Sequence, residues 1–146
     1  MSPAVYHAGH DHYHIADFVR NALYAYDIVN RTRGAAVGAG HKDGFCPIDD
    51  GLIALGAPDT QEPAQSTCYV SGGDITIHLE ADYYDTYPSS IDDQYVDITS
   101  VPPGVYELVT VVNRDGVIHE SDHANDEASV LVRITASGAC ALEECP

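Results

Sequence analysis

Val105-Tyr106-Glu107-Leu108-Val109-Thr110-Val111-Val112-Asn113 is rich in β-branched and aromatic residues, the types that suit a pleated, half-buried surface. Turn residues bound it on both sides: Val101-Pro102-Pro103-Gly104 before it and Arg114-Asp115-Gly116 after it. This is the clearest strand in the chain. Downstream, residues 117–119 read as a short strand, residues 121–126 as an acidic loop and residues 130–135 as the last strand. Upstream, residues 95–99 alternate apolar and polar, and residues 83–87 run as a tyrosine-rich segment into Pro88. Ile75, Ile77 and Leu79 alternate with Asp74, Thr76, His78 and Glu80, the period of a half-buried strand. Residues 49–66 form a polar loop with little pattern of its own. Residues 23–30 and 35–40 read as strands joined by a turn at 31–34. Ile15, Phe18, Val19, Ala22 and Leu23 fall at helical spacing, which predicts a short helix over 15–20. Seven or eight short strands with frequent turns predict an all-β fold, an antiparallel β-sandwich with long loops and at most short helices. The length, 146 residues, predicts a single domain over 1–146.

The chain carries 23 acids against 6 bases, a net charge of −17. That argues against nucleic acid and anionic membranes as partners and favours cationic ones, amines included. A solubility role for the charge explains it equally well. No apolar run approaches the roughly 20 residues of a spanning helix, so membrane insertion is not expected. Four cysteines stand at 46, 68, 140 and 145 without the C-x-x-C spacing of a structural zinc site. Two disulfides, Cys46–Cys68 and Cys140–Cys145, are the expected pairs, and they imply a secreted or extracytoplasmic setting. No secretory signal precedes the histidines, so an exported protein would be a mature or trimmed form.

Half of the eight histidines lie in Tyr6-His7-Ala8-Gly9-His10-Asp11-His12-Tyr13-His14. His10, His12 and His14 alternate, so on one strand they share a face, and neutral imidazole is the common nitrogen ligand of borderline transition metals. A flat strand would hold His10 and His14 roughly 13 Å apart. A shared ion therefore needs a bend, which Gly9 permits. Five of the bases are arginines, and Lys42 is the only lysine.

These segments together resemble the catalytic domain of the lysyl oxidases, copper-dependent amine oxidases of the extracellular matrix. The family's W-H-x-C-H-x-H-x-H motif appears as the 6–14 run. Its G-H-K-x-x-F-C motif appears as Gly40-His41-Lys42-Asp43-Gly44-Phe45-Cys46, and its Y/W-D-x-Y box as Tyr84-Asp85-Thr86-Tyr87. Further matches are Ile91-Asp92-Asp93-Gln94-Tyr95-Val96-Asp97-Ile98-Thr99, Pro103-Gly104 with Tyr106, Val112-Asn113, and Glu120-Ser121-Asp122 with Asn125. They keep the family's order and cover roughly residues 6–127. The family's Trp and Cys before the histidines are Tyr6 and Gly9 here, and its D-I-D-C-Q-W box reads Asp93 and Tyr95 at the Cys and Trp positions.

The resemblance implies an oxidoreductase, protein-lysine 6-oxidase-like, that deaminates primary amines or peptidyl lysine to aldehydes. Oxygen is the oxidant, and ammonia and hydrogen peroxide are released. It places copper on His10, His12 and His14, and makes lysine tyrosylquinone from Lys42 and Tyr87. Asp85, two residues from Tyr87, and His41, beside Lys42, are the candidate general bases. The acidic loop implies calcium at Asp122, Asn125 and Asp126, whose oxygen donors suit that ion, while a solvated loop explains the same residues. Primary amines or lysine-rich proteins and oxygen are the expected partners. The competing reading is a non-catalytic β-sandwich that binds copper or zinc as an adhesion, scaffold or copper-handling module.

Overall fold

The computed structural model describes residues 4–8, 12–41, 44–48, 50–52, 57–58, 68–71, 74–77 and 82–145. Among them there is no helix. The strands in chain order are β1 (Ala4–His7), β2 (His12–Ile15), β3 (Val19–Asp27), β4 (Thr32–Ala39), β5 (Gly51–Leu52), β6 (Ala57–Pro58), β7 (Tyr69–Ser71), β8 (Asp74–Thr76), β9 (Tyr83–Tyr84), β10 (Gly104–Val112), β11 (Glu127–Thr135) and β12 (Gly138–Ala141). All pairings between them are antiparallel. The expected all-β, antiparallel class is what the chain forms. It divides into two units, Met1–Asp17 with Gly44–Ile91, and Phe18–Asp43 with Asp92–Pro146.

The second unit is built on a five-stranded sheet in the order β12-β11-β10-β3-β4, with β10 at its centre. Its core is Leu23, Val101, Tyr106 and Ile134, with Val96, Ile98, Leu108 and Val132 packed against them. The strand period explains the set: Tyr106 and Leu108 share a face, Leu23 is opposite Leu108, and Val132 is opposite Tyr106. Val96, Ile98 and Val101 bring the irregular segment before β10 onto that face. The Tyr106 hydroxyl donates to the carbonyl of Pro102 at 2.7 Å and closes the turn between them. On β4, Arg33 donates to both Glu107 (2.7 Å) and Glu127 (2.7 Å) and lies over the Tyr24 ring. Gly40 ends the strand where it passes so close to Asn21 that a Cβ would lie 2.8 Å from Asn21 Cβ.

The first unit holds the hairpin β1–β2, the three-stranded sheet β6-β5-β9 and the pair β7–β8. The Cys46–Cys68 disulfide lies in this unit and Cys140–Cys145 in the other, both as expected.

Several local expectations change. The helix predicted over 15–20 is absent: Ile15 ends β2, residues 16–18 turn with Asp17 at φ 56°, and Val19 opens β3. The apolar spacing arose from two strands meeting at a tight turn. Their partners, Phe45 for Ile15 and Val112 for Val19, are distant in sequence. The β3–β4 turn sits at 28–31, where Asp27 Oδ1 accepts from the amides of Val29 and Asn30. That cap moves it earlier than the glycine suggested. Residues 117–119 form no strand, because Ile118 is taken up by the Asn113 side chain. The tail, which the sequence left without an element, supplies β12. Leu79 and most of the 49–66 loop lie outside the described residues.

Candidate active site

The histidine run is a hairpin rather than one strand. β1 and β2 pair so that His7 is opposite His12 and Val5 is opposite His14. The aromatic pair Tyr6 and Tyr13 stacks edge-on across the hairpin, with centroids 5.2 Å apart. His12 and His14 thus share a strand, as their alternation required, and His10 lies outside the described residues. His14 is buried, with 6 % of its surface exposed, which is unusual for a histidine on a short terminal hairpin.

What buries it is the segment around Gly44. Ile15 and Phe45 exchange backbone hydrogen bonds of 2.8 and 3.2 Å, laying that segment along β2. Gly44 then faces His14 so closely that a Cβ there would sit 3.3 Å from His14 Cβ and 3.4 Å from Nδ1. Phe45 is buried and packs edge-on against the Tyr87 ring at 4.5 Å. The Tyr87 hydroxyl donates to the Cys46 carbonyl at 2.8 Å and accepts from the Cys46 amide at 3.2 Å. The disulfide to Cys68 anchors the same residue. Histidine strand, glycine-containing segment and tyrosine therefore form one bonded series within the first unit.

Asp85 stands beside this series. Its Oδ2 accepts from the Ile48 amide at 3.0 Å. Burial pushes its pKa up, opposed by the hydrogen bond from the Ile48 amide. The Tyr87 phenol is pushed well above its ordinary range, first by burial and then by the nearby Asp85 charge. A phenol so placed keeps its proton at neutral pH. Lys42 lies outside the described residues, and His41 belongs to the second unit.

The lysyl oxidase family model matches residues 2–145. The chain belongs to the lysyl oxidase family. It is 32% identical over 136 residues to the protein-lysine 6-oxidase of Rattus norvegicus, covering 93% of this chain and 30% of that protein. Against the Sus scrofa protein of the same name the figures are 32%, 93% and 49%. Against the lysyl oxidase homolog 1 of Homo sapiens they are 34% over 130 residues, 89% and 20%. The chain thus spans less than half the length of these curated relatives.

In this lysyl oxidase family member His41 is exposed. Its amide donates to the Tyr95 carbonyl at 3.0 Å, and its ring stacks on Tyr95. The acidic loop gathers a set that differs in part from the residues the sequence singled out. Glu120, His123 and Asp126 bring one ligand atom each within 4.8 Å of one another. Asp122 caps the Ala124 amide at 2.8 Å, and Asn125 is exposed. Asn113, buried at φ 46°, pins the loop by bonding Ile118 through both backbone groups and Glu120 through its side-chain amide. Asp126 Oδ1 is buried without a hydrogen-bond partner, and the Asp126 carboxylate holds the His123 pKa above its ordinary value. Glu120 and Asn113 were visible as family matches, whereas His123 carried no sequence signal.

Proposed function

We propose that this chain is a single catalytic domain that oxidatively deaminates primary amines, lysine side chains of proteins among them. The products are aldehydes, ammonia and hydrogen peroxide, with oxygen as the oxidant. Copper is held by His10, His12 and His14, and lysine tyrosylquinone is formed from Lys42 and Tyr87. The observation that carries this reading is the bonded series from His14 through Gly44, Phe45 and Cys46 to Tyr87, within a chain of the lysyl oxidase family.

The residues suit the groups. At Gly44 a Cβ would press on the His14 ring, so glycine leaves the imidazole its room. The donor set of three imidazoles suits copper. When bound, copper and the quinone supply redox chemistry, an electron sink for the amine carbon and delivery of electrons to oxygen. The protein's own contributions are positional and protonic. Cys46 grips the phenol oxygen from both its amide and its carbonyl, and Phe45 fixes the ring plane. Asp85, whose carboxylate burial makes more basic than a free aspartate, is the group that takes up the α-proton and returns it. His41 is the second acid–base group. Asp122, Asn125 and Asp126 supply oxygen donors for calcium, and Glu120 lies close to Asp126. The acidic surface attracts cationic substrate, and the two disulfides fit a secreted protein. No described helix is long and apolar enough to cross a membrane.

The test is to load the protein with copper in air, stain it for redox-cycling quinone, and measure amine-dependent peroxide. A positive stain and peroxide that needs amine, both lost in Tyr87→Phe, are expected. Tight copper binding with neither signal would reject the enzyme in favour of a metal-binding module.

A further inference from the structure

A cleft of about 270 Å³ lies between the five-stranded sheet and the segment 94–98. That segment is hung from the end of β4: Gly40 bridges to Val96, and the His41 amide donates to the Tyr95 carbonyl at 3.0 Å. Leu23, Leu108 and Val132, which the register sets on one face, form the floor, and Val96 and Ile98 form the roof. All of these residues belong to the second unit. Among the described residues, none that lines the cleft is charged.

Gln94 is the polar exception in the roof. A tight turn, closed by the Tyr95 amide donating to the Asp93 carbonyl at 2.9 Å, sets it at the cleft. Its Nε2 is buried and has no hydrogen-bond partner. A buried donor left unpaired forfeits its hydration with nothing in return, so native folds keep few of them. Asn21, the other amide in the lining, is already engaged, its Oδ1 accepting from the Thr110 hydroxyl at 2.6 Å. The unmet group of this apolar cleft is therefore a donor. A cavity of about 150 Å³ walled by apolar side chains takes up benzene, and the same packing gives room here for about ten non-hydrogen atoms.

We propose that the cleft is a binding site for a small neutral molecule that has a compact apolar body and one carbonyl-type acceptor, which pairs with Gln94 Nε2. A carboxylate would meet no cation in the lining and an overall charge of −17, and an ammonium would meet no carboxylate there. A pure hydrocarbon would fill the space and leave Gln94 unpaired. Tyr87 and Asp85 belong to the first unit, so the site stands whether or not the chain oxidises amines.

The test titrates the whole chain, labelled with carbon-13 at its methyl groups and with nitrogen-15, using acetophenone and ethylbenzene, two one-ring probes that differ in the carbonyl. Acetophenone should saturate, moving the methyl signals of Leu23, Leu108, Val132 and Ile134 together with the Gln94 side-chain amide. Ethylbenzene should bind about ten-fold more weakly and leave that amide signal in place. Gln94→Leu should lose the preference, and benzoate should not bind. Ala139 lines the cleft from the exposed edge strand β12, so Ala139→Phe fills the space from outside the core and should abolish binding of both probes. Methyl shifts that never saturate, or that persist in Ala139→Phe, overturn the proposal. So does equal affinity of the parent for acetophenone and ethylbenzene, a comparison that needs no variant to fold.

Discussion

Tyr87 and Asp85 are coupled, and their coupling makes predictions at the scale of single residues. Tyr87→Phe removes both hydrogen bonds to Cys46, which is itself buried, and should cost about 1–3 kcal/mol of stability besides ending amine oxidation. Denaturant unfolding reads the first effect and a peroxide assay the second. Asp85 binds its proton more tightly folded than unfolded, so native protein holds the extra proton above the ordinary aspartate value of about 3.9. Stability therefore falls as pH rises from there through the raised native value. Asp85→Asn should flatten that limb of the melting profile, raise the melting temperature at neutral pH, and let the Tyr87 phenol ionise at lower pH in an ultraviolet titration. Gly44→Ala should shift the His14 ring by a few tenths of an ångström and weaken copper binding about 10–100-fold, as changes to ligand-supporting groups do. Residue types in the motifs pointed to His14, Asp85 and Tyr87. Nothing in the types announced that Tyr87 would be held by the backbone of Cys46, since a backbone group leaves no trace in composition.

At the scale of elements, long strands were legible and short ones were not. β3, β10 and β11 carry enough alternation and β-branched residues to stand out alone, and they form the middle of the five-stranded sheet. β5 and β9 are two residues each and exist because Gly51 pairs with Tyr84. Gly51→Ala would set its Cβ 2.5 Å from Tyr84 Cζ, so that ring must move. The variant should lose about 1–3 kcal/mol by overpacking, read by thermal melting. The histidine hairpin was hidden for another reason. Alternation marks a strand but not where it reverses, so nothing in the run announced that His7 pairs with His12 in the register. The Cys46–Cys68 bridge, 22 residues apart, joins the site to the segment before β7. Replacing both cysteines by serine should remove about 3 kcal/mol and loosen the grip on Tyr87 together.

For the whole molecule, the charge of −17 predicts, on the proposed function, how a cationic substrate would arrive. A lysine-rich peptide carries many positive charges and a monoamine only one. Raising ionic strength to about 0.15 M shortens the screening length to about 8 Å, and should lower kcat/KM for the peptide by up to about ten-fold while barely changing it for the monoamine. Equal salt dependence would mean that long-range attraction plays no part in choosing substrate. The central claim concerns a covalent link between Lys42 and Tyr87. It is tested most directly by digesting reduced, copper-loaded protein with trypsin and mapping the masses. The account predicts that cleavage after Lys42 disappears and that residues 34–114 are recovered as one cross-linked species. Recovery of separate, unmodified 34–42 and 43–114 peptides from quantitatively copper-loaded, air-exposed protein would contradict it.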